Sequence, residues 1–380
     1  MRQLFWVSFA TIFYIYFGYP MLVYFFSFFG KRVNKKYIYP KVAIIMSLYN
    51  EEKNIERKVE SLLQLDYPKE QIEVIIGSDG STDRTNEMLS KYKSDSVKVY
   101  IKSERGGKPN MLNRLVSMAT GELLVFTDAR QRIEKGALKE LVANFNDEKV
   151  GCVSSELHFE DESSKSGKGV GFYWKYEKFI RESESRIGSM LGATGALYAI
   201  RRKLFSEIPS DIILDDVYLP FEAIRAGYRA VFEPEAKIYD TVPETAKDEF
   251  NRKVRTHAGN FQVFRYFKDL FIPFKSPIAI QFFSHKLLRF VVPYLLVTLF
   301  ISNLFILDGW FYVFSFWSQI LFYACALMAI FFKYPNKLFD IPHMFCVMNI
   351  AAVVGLARYL GRKHSVVWEK AKIQGIEDSV

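Results

Sequence analysis

Residues 41–85 read KVAIIMSLYNEEKNIERKVESLLQLDYPKEQIEVIIGSDGSTDRT, and their pattern decides the fold. VAIIMS (42–47) is a short run apolar at every other position and its neighbours too, as expected of a strand covered on both faces. NIERKVESLLQL (54–65) then spaces its apolar residues as a helix does, and IEVIIGS (72–78) is a second buried run. The alternation continues downstream. DRTNEMLSKY (83–92), PNMLNRLVSMA (109–119) and KGALKELVANF (135–145) predict helices; VKVYI (97–101), ELLVFT (122–127) and VGCVSS (150–155) predict strands. The expected class is α/β, a mainly parallel sheet with helices on both faces. Ligands of such sheets bind beyond the carboxyl ends of the strands. Asn50, Asp79 and Asp128 each fall just past such an end.

Around this core the composition changes. Half of the 380 residues are hydrophobic, more than a soluble chain of this length needs and ordinary for a mixed membrane protein. Leu4–Phe29 is uncharged and long enough to cross a bilayer, with neither the short apolar core nor the cleavage site of a secretory leader. The division expected is an anchor at 1–30, a globular domain at 41–245, interface helices at 246–289, a membrane block at 290–360 and a tail at 361–380. Within 155–190 a polar stretch, EDESSKSGKG (160–169), predicts a loop and GFYWKYEKFIRESESR (171–186) a helix. Phe290–Leu307 and Gly309–Phe332 are the expected C-terminal spans, the first kinked at Pro293. Ile341–Ala357, interrupted by His343 and Asn349, is expected to lie at the interface or re-enter it.

Charge supports that arrangement. The net +9 concentrates in KRVNKK (31–36) after the first apolar segment and in NRKVRT (251–256) and its neighbours before the second. Basic flanks mark the cytoplasmic side and an anionic lipid surface, so the globular domain is expected in the cytoplasm and Met1 outside. A third C-terminal crossing would carry the basic GRKHSVVWEK (361–370) outside, against that rule. No basic-aromatic module points to nucleic acid. Three scattered cysteines make neither a disulfide framework nor a zinc site.

Several strings carry chemistry. In SDGSTDRT (78–85), Asp79 sits in a turn after a strand, where a buried carboxylate can accept the imide N–H of a uracil ring. FTDARQ (126–131) places Asp128 for a divalent cation or a ribose, followed by Arg130, a bidentate phosphate ligand by type. RGGKPNMLN (105–113) puts paired glycines before a helix N-terminus with Lys108 just inside, an anion-binding arrangement. LDD (214–216) sets Asp215 and Asp216 beside an apolar run. Adjacent carboxylates in a dry site raise at least one pKa, which suits a general base for a hydroxyl. Arg252 and Arg255, three apart on one helix face, are spaced to clamp a leaving diphosphate.

Together the strings from Lys41 to Arg289 resemble family 2 inverting glycosyltransferases, in particular the membrane-embedded cellulose, hyaluronan, chitin-oligosaccharide and poly-N-acetylglucosamine synthases. The resemblance implies a GT-A-type domain with transmembrane helices at both ends, and a UDP-sugar donor. It implies that Asp79 contacts uracil, that Tyr49, Asn50 and Glu51 line the uridine pocket, and that Lys108 and Asn113 belong to the donor site. It assigns Asp128 to the divalent cation (Mg or Mn), Asp216 to the catalytic base, and the GATGALYAIRR segment (192–202), with Thr194 and Gly195, to the acceptor side. Two departures stand out. Arg130 replaces the second acid of the Asp-x-Asp motif, which implies a weakly held metal. Gln-x-x-Arg-Trp becomes Arg252-Lys253-Val254-Arg255-Thr256, which puts processive polymerisation in doubt. The function expected is inverting transfer of a hexose from a UDP-sugar to a membrane-associated glycan or lipid-linked acceptor. The setting expected is polysaccharide synthesis at a bacterial inner membrane. Asp216, Asp215 and Arg255 are the expected catalytic residues. Single addition to a lipid carrier, or a non-catalytic scaffold or polymer-export partner, are the alternatives.

Overall fold

The computed structural model describes residues 1–159, 165–241, 246–272, 276–331 and 336–361. The tail expected at 361–380 lies almost wholly outside them, as does part of the polar stretch at 160–169. Eight strands, β1 (Val42–Leu48), β2 (Ile72–Asp79), β3 (Val97–Lys102), β4 (Leu123–Thr127), β5 (Arg132–Ile133), β6 (Val150–Phe159), β7 (Leu197–Arg201) and β8 (Arg229–Asp240), form one sheet. Their order is β3-β2-β1-β4-β7-β6-β8-β5.

The first half is parallel throughout, β1 pairing with β2 and β4 and β2 with β3. The second half is mixed. β7 runs antiparallel to both β4 and β6, and β5 antiparallel to β8, while β6 and β8 are parallel. The mainly parallel sheet expected from the alternation therefore holds for β1–β4 and gives way beyond them. The reversal matters, because it brings the residues leading into β7, Thr194 and Gly195, to the edge where β1, β2 and β4 end.

Side-chain alternation splits β1 between two cores. Val42, Ile44 and Met46 pack with Val59 and Leu62 of α2 (Ile55–Leu63). Ala43 and Ile45 face the opposite layer with Met111 and Leu115 of α4 (Lys108–Ser117). Burying each of the larger of these side chains, Val, Ile, Leu and Met, is worth about 1.5–3 kcal/mol. Gly77 is needed where α4 crosses β2, since a Cβ there would lie 2.3 Å from the Met111 sulfur. The other globular helices are α3 (Thr85–Ser90), α5 (Ala137–Ala143), α6 (Lys165–Ile187), α7 (Asp215–Arg225) and α8 (Ala246–Tyr266).

α1 (Arg2–Ser27), α11 (Trp310–Met328) and α12 (Lys337–Leu360) are long and apolar enough to cross a membrane. Between α8 and α11 lie α9 (Ala279–Phe290) and α10 (Val292–Leu304), which bend by 58° at their junction. The span expected at Phe290–Leu307 is thus the second arm of a broken pair. Proline at the second position of α10 lacks the N–H that would continue the helix ladder, which accounts for a break there.

Candidate active site

β1 and β2 deliver the first group of side chains at their carboxyl ends. Asp79, buried, takes the N–H of Gly106 on one oxygen (2.8 Å) and of Gly107 on the other (2.7 Å). The glycine pair thus closes over the carboxylate, and Gly107, at φ 88°, needs the freedom of a residue without Cβ. Asn50 has φ 53°, unusual for a residue with a side chain. Its Oδ1 accepts the Thr82 N–H at 2.8 Å, tying the end of β1 to the turn after β2. Arg105 covers the ring of Tyr49, its guanidinium carbon 3.6 Å from the ring centroid. Glu51 is turned to the start of α2, accepting from Asn54 Nδ2 at 2.7 Å.

The second group is a cluster of charges. Lys108, in the first turn of α4, places Nζ 3.1 Å from Asp128 Oδ1 and 3.1 Å from Asp215 Oδ1. Burial by itself would lower the Lys108 pKa, but Asp128, Asp215 and Asp216 hold it well above its ordinary value. Asp215 is buried in the first turn of α7 and also accepts from the Tyr198 hydroxyl on β7 at 2.8 Å. Asp216 is half-buried beside it. Its pKa is pushed up to about 6 by burial first and then by Asp215, with Lys108 opposing. Gly195 abuts this carboxylate, as a Cβ there would come within 2.8 Å of Asp216 Oδ2. Arg255 reaches the same cluster from α8, in electrostatic range of Asp215, Asp128 and Asp216. A carboxyl group near neutrality, an ammonium fixed between two acids and a guanidinium thus converge at one sheet edge.

Three expected donor-site residues are engaged by partners within the protein. Asn113 exchanges two hydrogen bonds with the Ile208 main chain (2.8 and 2.9 Å) and clamps the loop before α7. Arg252 is drawn to the buried Glu249 one turn earlier, at 2.6 Å. Arg130 makes a bidentate pair with buried Asp240, at 2.8 and 2.7 Å, while staying in electrostatic range of Asp128 and Glu51. A planar guanidinium matched to both oxygens of a desolvated carboxylate explains that choice. Among the described residues no three His, Cys, Asp or Glu side chains gather as a metal site.

Other participants carry no signal in the sequence. Lys58 of α2 is buried and donates to Thr127 Oγ1 and Gln131 O, both at 2.9 Å, bracing the turn that presents Asp128. Burial lowers its pKa to about 7. Arg181 of α6 donates to Thr194 Oγ1 at 3.0 Å, and the Thr194 N–H donates to Ser154 Oγ at 2.8 Å.

Residues 43–209 match the model of "Glycosyl transferase family 2". The chain carries a family 2 glycosyltransferase domain. The chain is 27% identical over 252 residues to poly-beta-1,6-N-acetyl-D-glucosamine synthase of Staphylococcus aureus, an alignment covering 64% of this chain and 60% of the synthase. It is 26% identical over 228 residues to the same synthase of Staphylococcus epidermidis, covering 58% and 55%. The chain thus spans less than two thirds of the length of these relatives. In three dimensions it resembles the mannosyltransferase PcManGT from Pyrobaculum calidifontis, solved with GDP-Man and Mn2+. The TM-score is 0.73, at 22% identity over 95% of this chain and 99% of that one. The mixed sheet is therefore of the GT-A type, with apolar helices that could span a membrane on either side of it in sequence.

Proposed function

We propose that this glycosyltransferase transfers a hexose, with inversion, from a UDP-sugar to a glycan or lipid-linked acceptor at a bacterial plasma membrane, its catalytic domain in the cytoplasm. The observation that carries the reading is the Lys108–Asp128–Asp215 bridge with Asp216 beside it near neutrality. Asp216 takes the proton of the acceptor hydroxyl. That oxygen bonds to the anomeric carbon from the face opposite the diphosphate, and the diphosphate leaves with the electron pair of the broken bond. Lys108 and Arg255 stabilise the charge that develops on it. Asp79, Tyr49 and Asn50 hold the uridine, and Asp215 fixes Lys108.

Asp128, with donor oxygens completing the coordination, is the residue that would hold a divalent cation. A bound cation supplies further neutralisation of the leaving group. With Arg130 engaged by Asp240 and a lysine on Asp128, the protein's own share of that coordination is small.

Single addition, without polymerisation, is the second reading. Thr256 stands where the synthase motif has Trp, and Arg252, where it has Gln, is engaged by Glu249. Purified protein given a panel of nucleotide sugars and a membrane acceptor should release UDP, and sizing the product separates one sugar from many. No nucleotide release with any donor would sink both readings.

A further inference from the structure

Between the carboxylate cluster and the apolar helices lies a second group of charges. α6 faces it with Glu177 and Glu184, which hold the two ring nitrogens of His285 at 3.2 and 2.8 Å. The Tyr19 hydroxyl of α1 also donates to Glu184, at 2.5 Å, and Arg289 pairs with Glu177. Those acids are therefore occupied. Arg181, between them on α6, and Lys286, next to His285 on α9, have no ion-pair partner among the described residues. Lys286 lies in electrostatic range of Arg181 and of the acids Glu177 and Glu184, which Arg289 and His285 already engage. Lys253 of α8 approaches the same place with its side chain only 12% exposed, sharing Glu249 with Arg252 at 3.6 Å.

Arg181 and Lys253 both lie over the Trp174 ring, at 5.6 and 5.7 Å from its centroid. The Trp174 indole N–H is buried and unpartnered among the described residues, as are both ring nitrogens of His257. Burial, then Lys253, Lys286 and Arg289, lowers the His257 pKa to about 3, so that ring is neutral and the cations around it are not offset by it. Among the described residues five cations, Arg181, Arg252, Lys253, Lys286 and Arg289, face four acids, Glu177, Glu184, Glu249 and Asp216, and surplus positive charge beside unused donors in a desolvated place is expensive without an anion. The diphosphate of the donor already has Lys108 and Arg255. What remains is an anion entering from the apolar helices.

We propose that Arg181, Lys253 and Lys286 hold the phosphate of an anionic membrane lipid, and that this lipid is the acceptor, presenting a headgroup hydroxyl to Asp216. Arg181 supplies the link, since its partner Thr194 precedes the Gly195 that abuts the base. The proposal rests on the base role given above to Asp216. The reaction balances as there: the hydroxyl proton goes to Asp216, and the sugar moves to the headgroup oxygen.

The test uses the full chain in nanodiscs of phosphatidylcholine, with or without phosphatidylglycerol. Labelled sugar should extract with lipid only when phosphatidylglycerol is present. Lys286→Gln should raise the KM for that lipid about 10- to 100-fold, the loss of one charge-assisted contact, with UDP affinity unchanged; Lys286→Arg should restore it. Soluble glycerol phosphate should compete, and inorganic phosphate much less. Equal transfer in phosphatidylcholine alone, equal competition by inorganic phosphate, or a parallel loss of UDP affinity in Lys286→Gln overturns the proposal. Native mass spectrometry provides a readout independent of turnover. Wild type should retain phosphatidylglycerol over phosphatidylcholine, and Lys286→Gln should lose that preference. A protein that shows this preference but releases no UDP with any donor would leave the lipid site standing and remove the transferase reading.

Discussion

Asp216 is set apart from its neighbour by surroundings alone. Asp215 has a lysine and a tyrosine hydroxyl on its carboxylate, whereas Asp216 meets mainly burial and the negative charge of Asp215. With its pKa raised to about 6, it is an unprotonated base above that pH and a protonated, inactive one below. The transfer rate should therefore fall about tenfold per pH unit on the acid side of about 6. Asp216→Asn should cost about 10²–10⁴-fold in kcat and abolish that acid limb, while UDP binding persists. A normal pH profile in Asp216→Asn, read in the same transfer assay, would place the base elsewhere. Arg130 gives a different expectation. Because it neutralises buried Asp240, Arg130→Ala should destabilise the domain by about 1–3 kcal/mol, with some relief because the guanidinium is partly exposed. Thermal melting should register the loss, and UDP titration should not. A drop in UDP affinity without a drop in Tm would return Arg130 to the diphosphate.

The loop into β7 is where element and chemistry meet. Gly195 leaves the Asp216 carboxylate its position, and an alanine there would press a methyl group against Oδ2 at 2.8 Å. The movable partner is the end of one short side chain, so Gly195→Ala should fold and bind UDP yet lose up to about 10²-fold in kcat, as small misplacements of reacting groups do. Unchanged turnover in this variant would show that the loop does not set the base. The same element marks how far the sequence could be read. β1–β4 were legible because each is a buried run followed by a helix of clear period, and Asp79, Lys108, Asp128 and Asp216 were legible because they follow those runs or flank an apolar one. β7 lies within a glycine-bearing string, and its antiparallel direction is fixed only by its neighbours β4 and β6. Lys58 was not legible for a related reason. On an amphipathic helix it reads as a solvated charge, and its partner Thr127 is 69 residues away. Asn113 and Arg130 were visible as polar residues near the site, but their partners, Ile208 and Asp240, are also distant in sequence, and those contacts decide which way the side chains turn.

At the scale of the whole molecule, the contacts of α1 order the apolar helices. Arg2 pairs with Asp308, Phe5 packs with Leu299 and Ile306, and Trp6 Nε1 donates to Tyr312, so the α10–α11 turn lies level with the chain's start. At the other end Tyr14 meets Ser284 and Tyr19 meets His285, level with the globular domain. The bent α9–α10 pair therefore runs the length of α1 in the opposite direction, and α11 returns. α12 begins beside the end of α11, where His343 Nδ1 lies 3.0 Å from Ala326 O. It ends against α8, with Gly355 close to His257 and Tyr359 stacked on Phe261 at 5.7 Å. α12 thus packs on the apolar α11 near its start and on the globular α8 near its end, and its length and hydropathy would also permit a crossing. If α12 lies along the interface, Gly361 emerges on the side of KRVNKK and the basic tail obeys the charge rule; if α12 crosses, the tail breaks it. In a cysteine-free background, Asp308→Cys should be labelled by an impermeant maleimide from outside intact cells. Gly361→Cys and Ser81→Cys should be labelled only after the membrane is opened. External labelling of Gly361→Cys would mean that α12 crosses and that the tail violates the charge rule. External labelling of Ser81→Cys would place the catalytic domain outside and remove the supply of cytoplasmic nucleotide sugar on which the proposed transfer depends.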